Sequence, residues 1–213
     1  MKIPRVLFSI LLLALIVLAG CSSEPKKQVS ETTKAAAPAK EPSTLYTARE
    51  CLSRMDGQAL RWAPDALVFH VESDINPETD GHGGKSTVWK GIYASASRNT
   101  IRTFSCSGSR ESYAPPVGVT GELELAYKPS ATPFQAFLVN TDSDKAFAVA
   151  QQHGGEALWK KDPNLPVTYL LAMERGQSVP TWFVIYGKSM QDNKGIGMIN
   201  ASTGNFVRAT AGK

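Results

Sequence analysis

The chain predicts an α+β fold of two pseudo-repeats, each one helix packed on an antiparallel sheet of about three strands, and three observations predict it. The phrase STVWKGIYAS at 86–95 returns as VPTWFVIYGKS at 179–189, with the same Trp-to-Tyr spacing 93 positions on and a Ser closing each copy. A helical pattern precedes each copy, and an alternating strand pattern stands between that helix and the phrase. The offset is 98 between the helices, 102 between the first strands and 93 between the Trp strands, so elements persist while loops vary.

The first elements lie outside this pattern. Lys2 and Arg5 precede an apolar run from Val6 to Ala19, too short for a membrane-spanning helix of about 20 apolar residues and typical of an export signal. It closes on Leu18-Ala19-Gly20-Cys21, which resembles the lipobox of bacterial lipoproteins. The resemblance implies removal of a signal peptide, residues 1–20, and lipidation of the Cys21 thiol by palmitate-type chains, making the membrane the first partner. Ser22 stands where an Asp would retain such a protein. The resemblance therefore implies the periplasmic face of the outer membrane in a two-membrane bacterium, and otherwise the outer face of the cytoplasmic membrane.

Residues 21–44 combine the lipidated Cys with a stretch of Ser, Lys, Glu, Pro, Ala and Thr whose one large aliphatic residue is Val29. Such a stretch cannot bury enough apolar surface to offset its ordering entropy, and as a flexible coil it spans roughly 25 Å. The remainder, 45–213, suits one domain or two small fused ones. It carries 17 Lys and Arg against 16 Asp and Glu, so no electrostatic case for nucleic acid exists.

The first unit, 45–108, opens on Thr47-Ala48-Arg49-Glu50, a capping box, with Ala48, Cys51, Leu52 and Met55 at helical spacing and Gly57 placed to end the helix. DALVFHVES at 65–73 alternates as a half-buried strand with Leu67, Phe69 and Val71 inward. The loop SDINPETDGHGGKS, the Trp strand and the closing strand NTIRTFSCSG follow. Residues 109–141 hold GELELAY and PFQAFLVN, expected as strands joining or extending the sheets. The second unit, 142–213, opens on Asp142 and Ser143 as N-caps, carries Ala146, Val149, Ala150 and His153 at helical spacing, and stops at Gly154-Gly155. Its strands are PVTYLLAME, the Trp strand and GIGMINASTG, with Tyr169, Leu171 and Met173 inward.

In the second unit Pro180-Thr181-Trp182-Phe183-Val184-Ile185, Gly187, and Ile199-Asn200-Ala201-Ser202-Thr203-Gly204 resemble the tail of the PepSY family of exported bacterial proteins. The first unit is similar more weakly, since Cys106-Ser107-Gly108 lacks the Thr. PepSY units occur in protease propeptides and act there as inhibitors, so the resemblance implies modulation of an exported peptidase. Within each Trp strand, Trp89 shares a face with Tyr93 and Trp182 with Tyr186. Two readings stay open for these four residues: a core pair under each helix, or an exposed aromatic strip for peptide or glycan.

No catalytic site is expected. The chain has no His-Glu-x-x-His, Cys-x-x-Cys or Gly-x-Ser-x-Gly. His70 alternates away from the core, His153 sits in a last helical turn and His82 among glycines. Gly84-Lys85-Ser86 ends like a phosphate loop, but Thr79 stands where its first Gly belongs. Asp74, Asn76, Glu78 and Asp80 alternate before Gly81, yet Thr87 occupies the position of the bidentate Glu of a calcium loop; a solvated hairpin tip is favoured, and no cofactor or metal site is expected. Cys51 and Cys106 share an oxidising compartment and fall on the faces that meet in a helix-on-sheet unit. They are expected to pair, the alternative being two buried thiols. The chain reads as a non-enzymatic binding or envelope-assembly module whose partner is an unknown envelope protein, or alternatively as a PepSY-type modulator of an exported peptidase.

Overall fold

A computed structural model describes residues 41–127 and 132–212. The signal, the lipobox and the tether up to residue 40 lie outside the described residues.

A two-residue strand β1 (Tyr46–Thr47) leads into helix α1 (Ala48–Trp62). The capping box forms as the sequence dictates, with the Glu50 carboxylate accepting from the Thr47 backbone N–H at 2.7 Å. Gly57 does not end α1. The helix runs on to Trp62 and stops where Ala63, ahead of Pro64, turns extended, because a residue before proline is pushed out of the helical region. The buried stripe is Ala48, Cys51, Leu52, Met55 and Ala59.

Strand β2 (Leu67–Ser73), a 3₁₀ turn at His82–Gly84, β3 (Lys85–Ser86), β4 (Val88–Ser95), β5 (Thr100–Ser107) and β6 (Gly118–Ala126) complete the first half. Helix α2 (Ser143–Ala150) is capped by Asp142, passes through a π turn at Gln151–Gly155 and continues as α3 (Glu156–Lys161). Gly154-Gly155 therefore kink the helix rather than stop it, and His153 leaves the apolar stripe: its backbone is non-helical, and its ring stacks on Phe206 at 3.9 Å. β7 (Val167–Met173), β8 (Pro180–Gly187), β9 (Asn193–Asn200) and β10 (Phe206–Ala211) follow.

Eight of these strands form one antiparallel sheet, ordered β10-β9-β8-β7-β2-β4-β5-β6, and β1 pairs with β3 in a separate two-stranded sheet. The first strands of the two halves, β2 and β7, pair at the centre through Val71 and Leu171. GELELAY becomes the edge strand β6, whereas PFQAFLVN forms only a single bridge, Phe134 to Val68, and a 3₁₀ turn. A register shift between Val68 and His70 in β2 moves the inward positions to Val68 and Val71, so Leu67 and Phe69 stay half-buried while Val68 is buried. One extra residue in a strand flips the alternation that follows it. The helices cover one face of the sheet, where nearly all of the large buried side chains gather.

Candidate functional site

The centre of the molecule is aromatic. Trp89, Tyr93, Tyr169 and Trp182 are each at most 1% exposed and Tyr186 is 2% exposed, so none of the four repeated aromatics lines a surface for peptide or glycan. Trp89 and Trp182 meet edge to face at 6.5 Å, and Trp89 packs on Tyr169 at 5.9 Å. The tyrosines differ in how their hydroxyls are satisfied. Tyr169 donates to the Gly81 carbonyl at 2.6 Å and accepts from the Gly84 N–H at 3.1 Å. Among the described residues the Tyr93 and Tyr186 hydroxyls have no hydrogen-bond partner. Burial pushes all three phenols up from the usual tyrosine value.

The two helix N-termini meet beside this centre. Ser143 Oγ accepts from the Ala48 N–H at 2.9 Å and donates to the Gly84 carbonyl at 2.6 Å, while Asp142 Oδ1 accepts from the Arg49 N–H at 2.9 Å. Side chains at the start of α2 thus satisfy the first donors of α1, and their acceptor oxygens face the positive ends of two helix dipoles.

The long loop is no solvated tip. Gly84 packs against Ser143 and Asp144 at the start of α2, where an added Cβ would lie 2.3 Å from the Asp144 Cα. The His82 ring stands 4.2 Å from Trp159 with Nε2 at 2.9 Å from the Leu165 carbonyl oxygen, and its Nδ1 lies 3.2 Å from Asp80. Glu78 accepts from the hydroxyls of Ser43 and Ser109, fastening the loop to the start of the described chain. Among the described residues no group of His, Cys, Asp and Glu is arranged to hold a metal ion. His70 faces away from the helices, opposite Ile92 and Ala172, and burial lowers its pKa against the opposing pull of Glu72.

Cys51 and Cys106 form a disulfide with Cα atoms 5.5 Å apart, fully buried between α1 and β5. Cys21 lies outside the described residues.

Sequence reasoning missed two features. One is the far face of the sheet. Phe183, Ile185, Ile196 and Met198 form a second apolar cluster there, with Leu170 and Ala172 packed against it. By pairing, Ile92, Ala94, Ile101 and Leu125 continue the same face toward β6, where Leu123 is 87% and Leu125 62% exposed. Its signal was the second set of apolar residues in VPTWFVIYGKS and GELELAY, read only as strand propensity. The other comprises grooves beside the sheet edges: a cleft of about 290 Å³ near β10, between the π turn, Leu158, Ala209 and Ala211, and one near β6 under the end of α1. No sequence pattern announces them, since their residues come together only by strand pairing.

No helix among the described residues is long and apolar enough to cross a membrane. No family model matches the chain, and no curated protein matches it. Among solved structures the chain is similar to a "putative lipoprotein (CD1622)" of Clostridium difficile 630, with a TM-score of 0.44 and 9% identity over 74% of this chain and 90% of that one.

Proposed function

We propose that this protein is a membrane-anchored lipoprotein of the bacterial envelope whose folded part is a non-enzymatic binding or assembly module. The lipobox at Leu18–Cys21 and the polar stretch behind it support the anchor. The observation that carries the binding role is the β6 edge of the sheet's far face, where Leu123 and Leu125 stand exposed. Large apolar side chains left exposed together on an edge strand mark an interaction surface, whereas Phe183, Ile185, Ile196 and Met198 farther across the same face are themselves buried.

A second reading is a PepSY-type modulator of an exported peptidase. Supporting it, each half runs from a helical segment to strands laid outward from the centre, three in 45–108 and four in 142–213, so we read 45–108 and 142–213 as pseudo-repeats joined by 109–141, which adds the edge strand β6. The edge strands β6 and β10 offer unpaired backbone to an extended segment of a protease.

Photo-crosslinking in the intact envelope tests both. A crosslinking residue at Leu125 should capture a specific envelope protein that a probe at Lys145, on an exposed helix position, does not. An assembly protein supports the first reading and a peptidase the second. Equal capture from the two positions, or none, would sink the binding role.

A further inference from the structure

Where the last turns of α1 overhang β5 and β6 they leave a groove of about 310 Å³. Phe104, Val119 and Gly121 form its floor, Trp62 a wall, and Arg61 and Arg102 line it with Gln58. The Trp62 and Phe104 rings stand 6.2 Å apart, tilted by 59°. Trp62 is held by donating its indole N–H to Glu124 at 2.8 Å. Arg102 lies over the Phe104 ring at 5.3 Å and donates Nε–H to the Glu122 carbonyl at 2.8 Å. A Cβ at position 121 would sit 3.1 Å from Arg102 Nε and Nη2 and from the Phe104 ring, so glycine there leaves the stacked pair its room.

The arginines of this groove form no ion pair among the described residues. Arg102 stands opposite Glu124 in the strand register, yet that carboxylate is taken by Trp62, Arg98 and Thr100. A planar guanidinium with free N–H groups matches the geometry of carboxylate and phosphate oxygens, and aromatic walls match a flat apolar body.

We propose that this groove binds a small organic oxyanion, a carboxylate or phosphate joined to a flat apolar group. Arg61 and Arg102 take the oxyanion, and the half-buried Trp62 ring, seated over the buried Phe104, takes the flat group. The same chemistry is offered by a free metabolite and by the C-terminal aromatic residue of a polypeptide. This binding goes beyond the envelope-partner reading, and its readout at Trp62 is separate from crosslinking at Leu125.

The test is an NMR titration of the ¹⁵N-labelled domain, following the Trp62 indole N–H and the Arg102 Nε–H. Phenyl phosphate and benzoate should shift both signals saturably, and benzyl alcohol, which has the ring without the charge, should bind at least about tenfold more weakly. Arg61→Gln, at an exposed position, and Arg102→Gln should each weaken phenyl phosphate about tenfold, or ~1.4 kcal/mol. Gly121→Val should displace the stacked pair and abolish the shifts. Gly-Gly-Phe with a free carboxylate binding more tightly than benzoate, and its amide failing to bind, would support the site with a polypeptide end as its source; the reverse order would support it with a free small molecule. The proposal is overturned if Trp62 shows no saturable shift up to roughly 10 mM of either oxyanion, where even a millimolar site fills. It is equally overturned if the Arg61→Gln, Arg102→Gln double variant, with an otherwise unchanged spectrum, binds as tightly as the parent.

Discussion

Trp89 and Trp182 touch edge to face, and each donates its indole N–H to the carbonyl of the residue just before a helix N-cap, Trp89 to Tyr46 at 2.9 Å and Trp182 to Thr141 at 2.8 Å. One pair of side chains thereby fixes where both helices begin. Replacing either Trp by Phe removes a hydrogen bond and leaves a gap, at a cost of ~2–4 kcal/mol. Trp182→Phe should cost more, because its bond is fully buried and that of Trp89 only partly. Urea unfolding of the two variants measures it, and losses below about 1 kcal/mol for both would contradict this anchoring role.

The Cys51–Cys106 bridge closes a loop of sequence separation 55, worth about 4 kcal/mol in the chain-entropy model, an upper figure where the unfolded chain keeps structure. The Cys51→Ala, Cys106→Ala double variant should lose much of this in denaturant titrations. Because both residues are 0% exposed, mild reductant should leave the bridge intact until the domain unfolds. Thiol labelling at increasing urea follows that directly, and labelling of folded protein would contradict it.

Gly84 and its neighbour Gly83 share a left-handed backbone, each with φ of 75°. Only Gly84 is crowded: a Cβ there meets Asp144, whereas one at Gly83 meets nothing within 4 Å. Gly83→Ala should cost ~1–2 kcal/mol from the backbone alone. Gly84→Ala should cost about 2–3 kcal/mol more, since it also pushes the loop off α2. Equal melting temperatures for the two variants would show that the loop does not bear on α2.

Asp65 accepts from Ser95 Oγ at 2.7 Å and from the Ser97 N–H at 2.8 Å, which holds its pKa at about 2. Glu124, held by Trp62, Arg98 and Thr100, is also lowered to about 2. A carboxyl whose folded pKa lies below its unfolded value stabilises the fold fully above the unfolded value and loses that contribution as pH falls through the folded one. These contributions should therefore be flat above about pH 5 and fade between about pH 4 and 2. Asp65→Asn and Glu124→Gln should each flatten that acid limb in pH-dependent unfolding. An unchanged limb in both would contradict the assignment.

Cys21→Ala should yield a precursor that retains its signal and no longer partitions with membranes as a lipidated form does. Fractionation with acyl labelling checks this, and a variant that is processed and membrane-bound like the parent would contradict the lipoprotein reading.

Local rules carried the sequence reading a long way. The capping box at Thr47 and Glu50, the Cys51 stripe and the Trp strands were legible because each follows from spacing within one element. The disulfide was legible because a helix stripe and a strand face have to meet in such a unit. What local rules missed depended on neighbours far along the chain. Gly57 marks a helix end only if nothing beyond it is held in place, yet Ala59 is buried in the core and Pro64 sets the real stop. Gly154-Gly155 likewise read as an end, but Gly155 is needed where the Tyr186 hydroxyl sits, since a Cβ there would fall 1.8 Å from it. The β2 bulge, the joining of both halves into one sheet through β2 and β7, and the Arg61–Arg102 groove were decided only in three dimensions. Register, edge position and the meeting of side chains from separate strands are set by pairing energies summed over the whole sheet, and no window of sequence contains them. By itself, then, the sequence determined the helix starts and most of the strand segments; the tertiary structure decided their register, which strands became edges and which distant side chains met.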